Sequence, residues 1–165
     1  MRRKLVIAAV FGAAALLVGC GGGGDGSGGG STTAATIPSS GAAGNTVAVT
    51  LGENGPNDMY LNPSQASAPA GDVTFVVTNE GQKEHEFVVL KTDTQAADFP
   101  IVKFEGEPNR MDEDASGIEA MGEIASLPAG STDKVTAKLD AGHYVLLCNL
   151  KGHYPAGMST DFEVT

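Results

Sequence analysis

Residues 144–158 read Tyr-Val-Leu-Leu-Cys-Asn-Leu-Lys-Gly-His-Tyr-Pro-Ala-Gly-Met, and this stretch decides the fold. Three of its side chains bind soft metals: Cys148, His153 and Met158. A thiolate, an imidazole and a thioether in one short loop suit copper that alternates between two oxidation states. Copper(I) favours sulfur, and imidazole serves both states. The apolar run 144–147 just before Cys148 reads as a buried strand whose end delivers the thiolate. Gly152 and Pro155-Ala156-Gly157 then turn the loop back on itself.

The pattern Cys148-Asn149-x-x-Gly152-His153-x-x-x-Gly157-Met158 resembles the copper loop of the cupredoxins. Its spacing, Cys-x4-His-x4-Met, is most similar to the sulfocyanin-like and auracyanin-like groups. The resemblance implies an all-β, Greek-key β-sandwich over residues 46–165. It also implies a type 1 (blue) copper site, in which two His and one Cys surround the metal and a Met sits at a longer axial distance. The loop supplies three of those four ligands. The stretch 78–87, Thr-Asn-Glu-Gly-Gln-Lys-Glu-His-Glu-Phe, resembles the cupredoxin segment in which an Asn-x-Gly turn precedes the first His ligand. That implies His85 as the fourth. The chain has three His in all. His143 lies five positions before Cys148 on the same strand, so period-2 alternation turns it to the opposite side, and it reads as a surface residue. One departure stands out. In many cupredoxins an Asn follows the first His and joins the two ligand loops, whereas here that position is Glu86. Asn149 is placed to supply such a link instead. Hydrogen bonds of this kind orient ligands and tune the metal, so the departure bears on the reduction potential.

Outward from the loop, short β patterns recur between turn signals. Residues 46–51, 72–79, 85–90, 135–139, 142–148 and 160–164 read as strands, and 59–61 as a short one. Residues 101–127 break the pattern with an acidic, Gly-containing stretch, expected as an irregular or short helical insertion.

The N-terminus reads as an address. Arg2, Arg3 and Lys4 precede an apolar stretch, 5–18, too short to span a bilayer comfortably. Leu17-Val18-Gly19-Cys20 resembles a bacterial lipobox, which implies cleavage after residue 19 and a lipid on Cys20. Residues 21–45 are largely Gly, Ser, Thr and Ala, a flexible tether with a root-mean-square span of roughly 25–30 Å. The expected product is a domain held by a lipid on the outer face of the cell membrane or in the periplasm.

Removing residues 1–19 takes away three basic residues, so 10 − 3 = 7 Lys and Arg face 20 Asp and Glu, a formal charge of −13. That balance argues against nucleic acid and against an anionic membrane surface as partners. The chain has two Cys, and the lipobox claims one of them. An exported domain with one Cys left over has a reason to keep it reduced if the thiolate binds metal. There is no His-Glu-x-x-His, no phosphate-binding Gly loop and no nucleophile elbow. The expected function is therefore a monomeric carrier of single electrons between redox proteins, not an enzyme, with no small-molecule substrate. The alternative is a copper storage or delivery protein that supplies an oxidase, for which Met111 and Met121 in the acidic stretch are candidate sulfur donors.

Overall fold

A computed structural model of the protein describes residues 45–113 and 115–165. The strands are β1 (Thr46–Gly55), β2 (Asp58–Pro63), β3 (Ser67–Ala68), β4 (Gly71–Asn79), β5 (His85–Lys91), β6 (Ile101–Phe104), β7 (Glu107–Met111), β8 (Glu119–Leu127), β9 (Thr132–Leu139), β10 (Gly142–Leu147) and β11 (Ser159–Val164). One 3-10 turn spans Tyr154–Ala156. The alternation of apolar and polar residues along the chain accounts for most of this. Val47, Val49 and Leu51 on β1, Val73, Phe75 and Val77 on β4, and Phe87 and Val89 on β5 all point inward, as period 2 demands.

The strands form two sheets that share the main core. The first runs β2-β1-β4-β9 and the second β3-β11-β10-β5-β8. The pairs β1–β4 and β3–β11 are parallel, and the other neighbours in both sheets are antiparallel. At the centre Phe75 of the first sheet meets Phe87 and Phe162 of the second, with ring centroids 5.4 and 5.5 Å apart. All three rings are fully buried. Burial stabilises each by roughly 1.5–3 kcal/mol, and the tilted and edge-on contacts add to it. This is the two-sheet β-sandwich expected from the sequence.

The stretch 101–127 differs from expectation. It is not helical, and apart from irregular residues at 112–113 and 115–118 it is built mainly of three strands. β6 and β7 form a hairpin of their own. Its two-residue turn is Glu105-Gly106, with φ of 53° and 91°. Two consecutive positive φ values match the twist of the flanking strands, which is why Gly follows the acid there. β8 then pairs with β5 as an edge of the second sheet. Two register shifts interrupt that pairing. They leave Ile124 and Leu127 as its buried apolar positions, at a spacing that simple alternation does not produce.

The outer face of the second sheet is covered as well. A second cluster of Leu90, Ala96, Phe99, Met111, Val145, Leu147 and Tyr154 fills the space beneath the hairpin and the preceding loop. β10 is therefore buried on both faces. Tyr144 and Leu146 face the main core, while Val145 and Leu147 face the second cluster. His143 shares the Val145 side, opposite Cys148, as alternation requires. It is not a free surface residue, however. Its ring meets the Thr92 carbonyl at 2.7 Å and Asp161 at 2.9 Å.

Candidate metal centre

The end of β10 delivers Cys148, which is wholly buried, to one end of the sandwich. From there the chain folds by local hydrogen bonds. The His153 N–H donates to the Leu150 carbonyl at 2.9 Å, and the Ala156 and Met158 N–H groups donate to the His153 carbonyl at 3.1 and 3.2 Å. The Cys148 N–H donates to the Met158 carbonyl at 3.0 Å, so the loop closes on itself. Gly157 makes the reversal possible. Its φ is 102°, and a Cβ there would sit 3.2 Å from the Met59 carbonyl oxygen. Met158 ends the loop with no exposed surface, in the same core cluster as Cys148.

His85 arrives from β5 by a different route. Asn79, at the end of β4, is fully buried and folds the turn that leads to it. Its side-chain N–H groups donate to the Lys83 and Leu127 carbonyls at 2.7 and 2.8 Å, and its side-chain oxygen accepts the Gly81 N–H at 2.9 Å. The Asn-x-Gly pattern read in the sequence is thus an Asx turn with a mechanical role. The result brings His85 Nδ1 to 3.1 Å from His153 Nδ1 and Cys148 Sγ to 3.3 Å from that same nitrogen. All three donor atoms lie within 4.8 Å of one another.

These donors fit a metal ion better than they fit each other. Metal–nitrogen bonds are about 2.0–2.1 Å long, so two nitrogens 3.1 Å apart can reach one ion. Glu53 Oε1 lies 2.9 Å from His85 Nε2, off the line of the ring N–H. That contact favours the proton on Nε2 and leaves Nδ1 as a lone pair facing His153 Nδ1 and, beyond it, the sulfur. A cation resolves this convergence of electron pairs.

The electrostatics agree. Burial holds the His153 imidazole down at about 4, helped by His85 and Lys83. Burial also lowers His85, although Glu53 opposes it. Both rings are therefore neutral near pH 7, as ligands must be. Burial pushes the Cys148 thiol up to about 11, against the opposing Glu86 and Leu150 N–H groups. A metal binding there must displace that proton. The Glu86 N–H already points at the sulfur, 3.2 Å away, ready to offset the charge of a thiolate.

The link between the two ligand loops is made by Glu86 itself, not by the Asn149 side chain. The Glu86 carboxylate accepts the Asn149 backbone N–H at 3.0 Å. Burial pushes this carboxyl up to about 7; the Asn149 N–H opposes the rise, and Glu123 and Glu113 add to it. The Asn149 side chain turns the other way. It accepts the Met111 N–H at 2.9 Å and donates to the Met111 carbonyl at 3.2 Å and to Glu113 at 2.6 Å. The Gly152 N–H reaches the Asn109 carbonyl at 2.8 Å. The hairpin is thereby strapped to the metal loop. The exposed Lys151–Glu105 ion pair at its tip adds little.

Glu53 is the residue that sequence reasoning did not single out. A signal for it exists: Val47, Val49, Leu51 and Glu53 alternate along β1, so an acid takes the fourth inward position. Its carboxylate accepts the Gln82 and Lys83 N–H groups at 2.9 and 3.0 Å. Burial alone would raise this carboxyl, yet those two donors and His85 hold it below the usual carboxylate range. Cys20 lies outside the described residues.

The sulfocyanin (SoxE) domain family matches residues 33–165. Among solved structures, the fold is similar to an azurin (Az-iso2) from Methylomonas sp. strain J. The identity is 17% over 74% of this chain and 99% of that one, with a TM-score of 0.50. Auracyanin from Roseiflexus castenholzii is 22% identical over 73% of this chain and 97% of its own, with a TM-score of 0.49. Auracyanin A, a "blue" copper protein from Chloroflexus aurantiacus, is 22% identical over 73% and 99%, with a TM-score of 0.45. No curated protein sequence matches. With the family match in place, His85, Cys148, His153 and Met158 form the pattern of a type 1 copper site.

Proposed function

The chain belongs to the sulfocyanin domain family, a branch of the cupredoxins, whose general function is electron transfer, and from that premise we propose that it is a lipid-anchored carrier of single electrons. His85 and His153 would hold the copper through Nδ1, Cys148 through its thiolate, and Met158 as the weak axial ligand. When bound, copper supplies a one-electron couple between Cu(I) and Cu(II). The chain's own residues do the rest. The two rings stay neutral, the Glu86 N–H offsets the thiolate charge, and burial keeps water from the donor atoms.

The observation that carries this reading is the convergence of the His85, Cys148 and His153 donor atoms within 4.8 Å, all three buried. A donor set enclosed in this way suits a metal that stays through many redox cycles. Delivery to another protein needs an exchangeable site, and the extra sulfur donors are largely taken up by packing. Met111 is 1% exposed, inside the second cluster, and Met121 packs against the main core. Electrons would leave by the His153 edge. Pro155, Ala156 and Gly157 beside it carry no charge and are at least partly exposed, whereas Tyr154 is buried and donates to the Ala96 carbonyl. An uncharged patch on an acidic protein allows close approach by a redox partner while the carboxylates around it steer.

The copper(II) spectrum tests the reading. The wild type should show an intense visible thiolate-to-copper band, and Cys148→Ser should lose it, because a hydroxyl is the harder and weaker ligand. A band that persists in the variant would remove Cys148 from the site. No described helix is long and apolar enough to cross a membrane. The proposed anchor is a lipid on Cys20, reached through the tether 21–45, with the domain on the extracytoplasmic side. Cys20→Ala should abolish metabolic labelling with a fatty acid while leaving copper binding intact; label retained in the variant would sink the lipobox reading.

A further inference from the structure

Two of the acids that touch the ligand loops, Glu86 and Glu53, do different things. Glu86 bridges His85 and Asn149 along the backbone. Glu53 reaches a ligand ring itself, and it comes from the other sheet. Its carboxylate is held from several sides. Oε2 accepts the Gln82 N–H, and Oε1 accepts the Lys83 N–H while also lying 2.9 Å from His85 Nε2. The side chain is 9% exposed, so little solvent screens it. The fit depends on a missing side chain: a Cβ at Gly81 would collide with the Glu53 carboxylate. Apart from this carboxylate, no described group meets His85 Nε2.

We propose that Glu53 is a positioning residue for the metal centre. Clamped by the Gln82 and Lys83 N–H groups, its carboxylate keeps the His85 ring proton on Nε2, aims the Nδ1 lone pair at Cys148 and His153, and lends the centre a negative charge that favours copper(II). The opposite tautomer would set the Nε2 lone pair against a carboxylate and drive the Nδ1 proton toward His153 Nδ1. Carboxylate partners of metal-bound His raise the basicity of the ligand and fix its orientation. A backbone carbonyl in the same place would orient the ring but bring no net charge. The charge is what gives this assignment a readout of its own, because a nearby anion stabilises the more positive oxidation state.

The inference rests on His85 being a copper ligand, so its test has one arm with copper and one without. In the metal-free wild type, nitrogen NMR of the His85 ring should show Nε2 protonated and Nδ1 bare. Glu53→Gln keeps an oxygen acceptor of the same reach but loses the charge, and it should populate both tautomers. In the copper-loaded protein, Glu53→Gln should weaken copper(II) binding about 10- to 100-fold and copper(I) binding less. The reduction potential should therefore rise. Gly81→Ala, which retains Glu53 but displaces its carboxylate, should shift both readouts the same way. A wild-type ring protonated on Nδ1 overturns the proposal with no variant needed. So does an unchanged potential in either variant. A wild type that binds no copper would remove the electron-carrier reading, and the metal-free spectra would still decide whether Glu53 sets the His85 tautomer.

Discussion

The candidate ligands are held in two ways. Cys148, His153 and Met158 sit on one loop, closed by backbone hydrogen bonds within the loop itself. His85 follows a turn whose supports reach across the fold: Asn79, six residues earlier, donates to the Leu127 carbonyl at the end of β8, and Glu53 comes from β1. The difference teaches where rigidity comes from. A local loop carries its geometry in its own turn residues. A single residue at a strand end must borrow geometry from the sheets around it, at the expense of burying polar groups that then need partners.

If that contrast is right, Asn79→Ala should have the largest structural effect. It strands two carbonyls and one N–H in a buried turn. At about 1–3 kcal/mol for each buried group left unpaired, with some relief from relaxation, chemical denaturation of the metal-free protein should register a loss of roughly 2–4 kcal/mol. A loss well below 1 kcal/mol would mean that the His85 side does not depend on its distant supports. Met158→Leu acts on the local loop and should cost far less. Volume is nearly conserved, so the fold, the copper and the colour should survive. The reduction potential should rise, since the lost thioether no longer favours copper(II). Cyclic voltammetry showing no change would take Met158 out of the axial position.

The smallest effect concerns a His that belongs to neither set. Burial works against a charge on His143, but the Thr92 carbonyl, Asp161 and Glu163 outweigh it and raise the ring above its ordinary value. The folded state therefore binds the proton more tightly than the unfolded one. Its contribution is fully present below about pH 6.5 and is lost as pH rises through the raised folded value. His143→Gln should flatten the dependence of stability on pH over that window while leaving the copper spectrum unchanged. An equal slope in both proteins would mean that the Asp161 contact carries no linkage.

The same contrast explains what the sequence made legible. The loop 144–158 could be read because ligands, turn glycines and the strand before them fall within fifteen consecutive residues. Most strands could be read because one face is buried and alternation survives. The stretch 101–127 could not, because register shifts break the alternation of β8 and the β6–β7 hairpin contributes mainly to a small second cluster. The Glu86 bridge replaced the expected Asn149 link because a carboxylate reaches a backbone N–H across the loops as well as an amide does. Glu53 went unnoticed because its meaning depends on a partner in a strand of the other sheet. Only its place in the inward series of β1 marked it.

β1 has a further consequence, a mechanical one. The described chain enters it at Thr46, and Glu53 near its far end touches the His85 ring. Seven steps of about 3.3 Å separate these two points by roughly 23 Å. A pull on the chain ahead of Thr46 runs along this strand, which is flanked by β2 on one side and β4 on the other. Such a load shears two ladders of hydrogen bonds together instead of unzipping one pair at a time. Under the proposed anchoring at Cys20, the domain would be leashed at one pole and exchange electrons at the other, with the leash force spread across a sheet before it reaches the ligands.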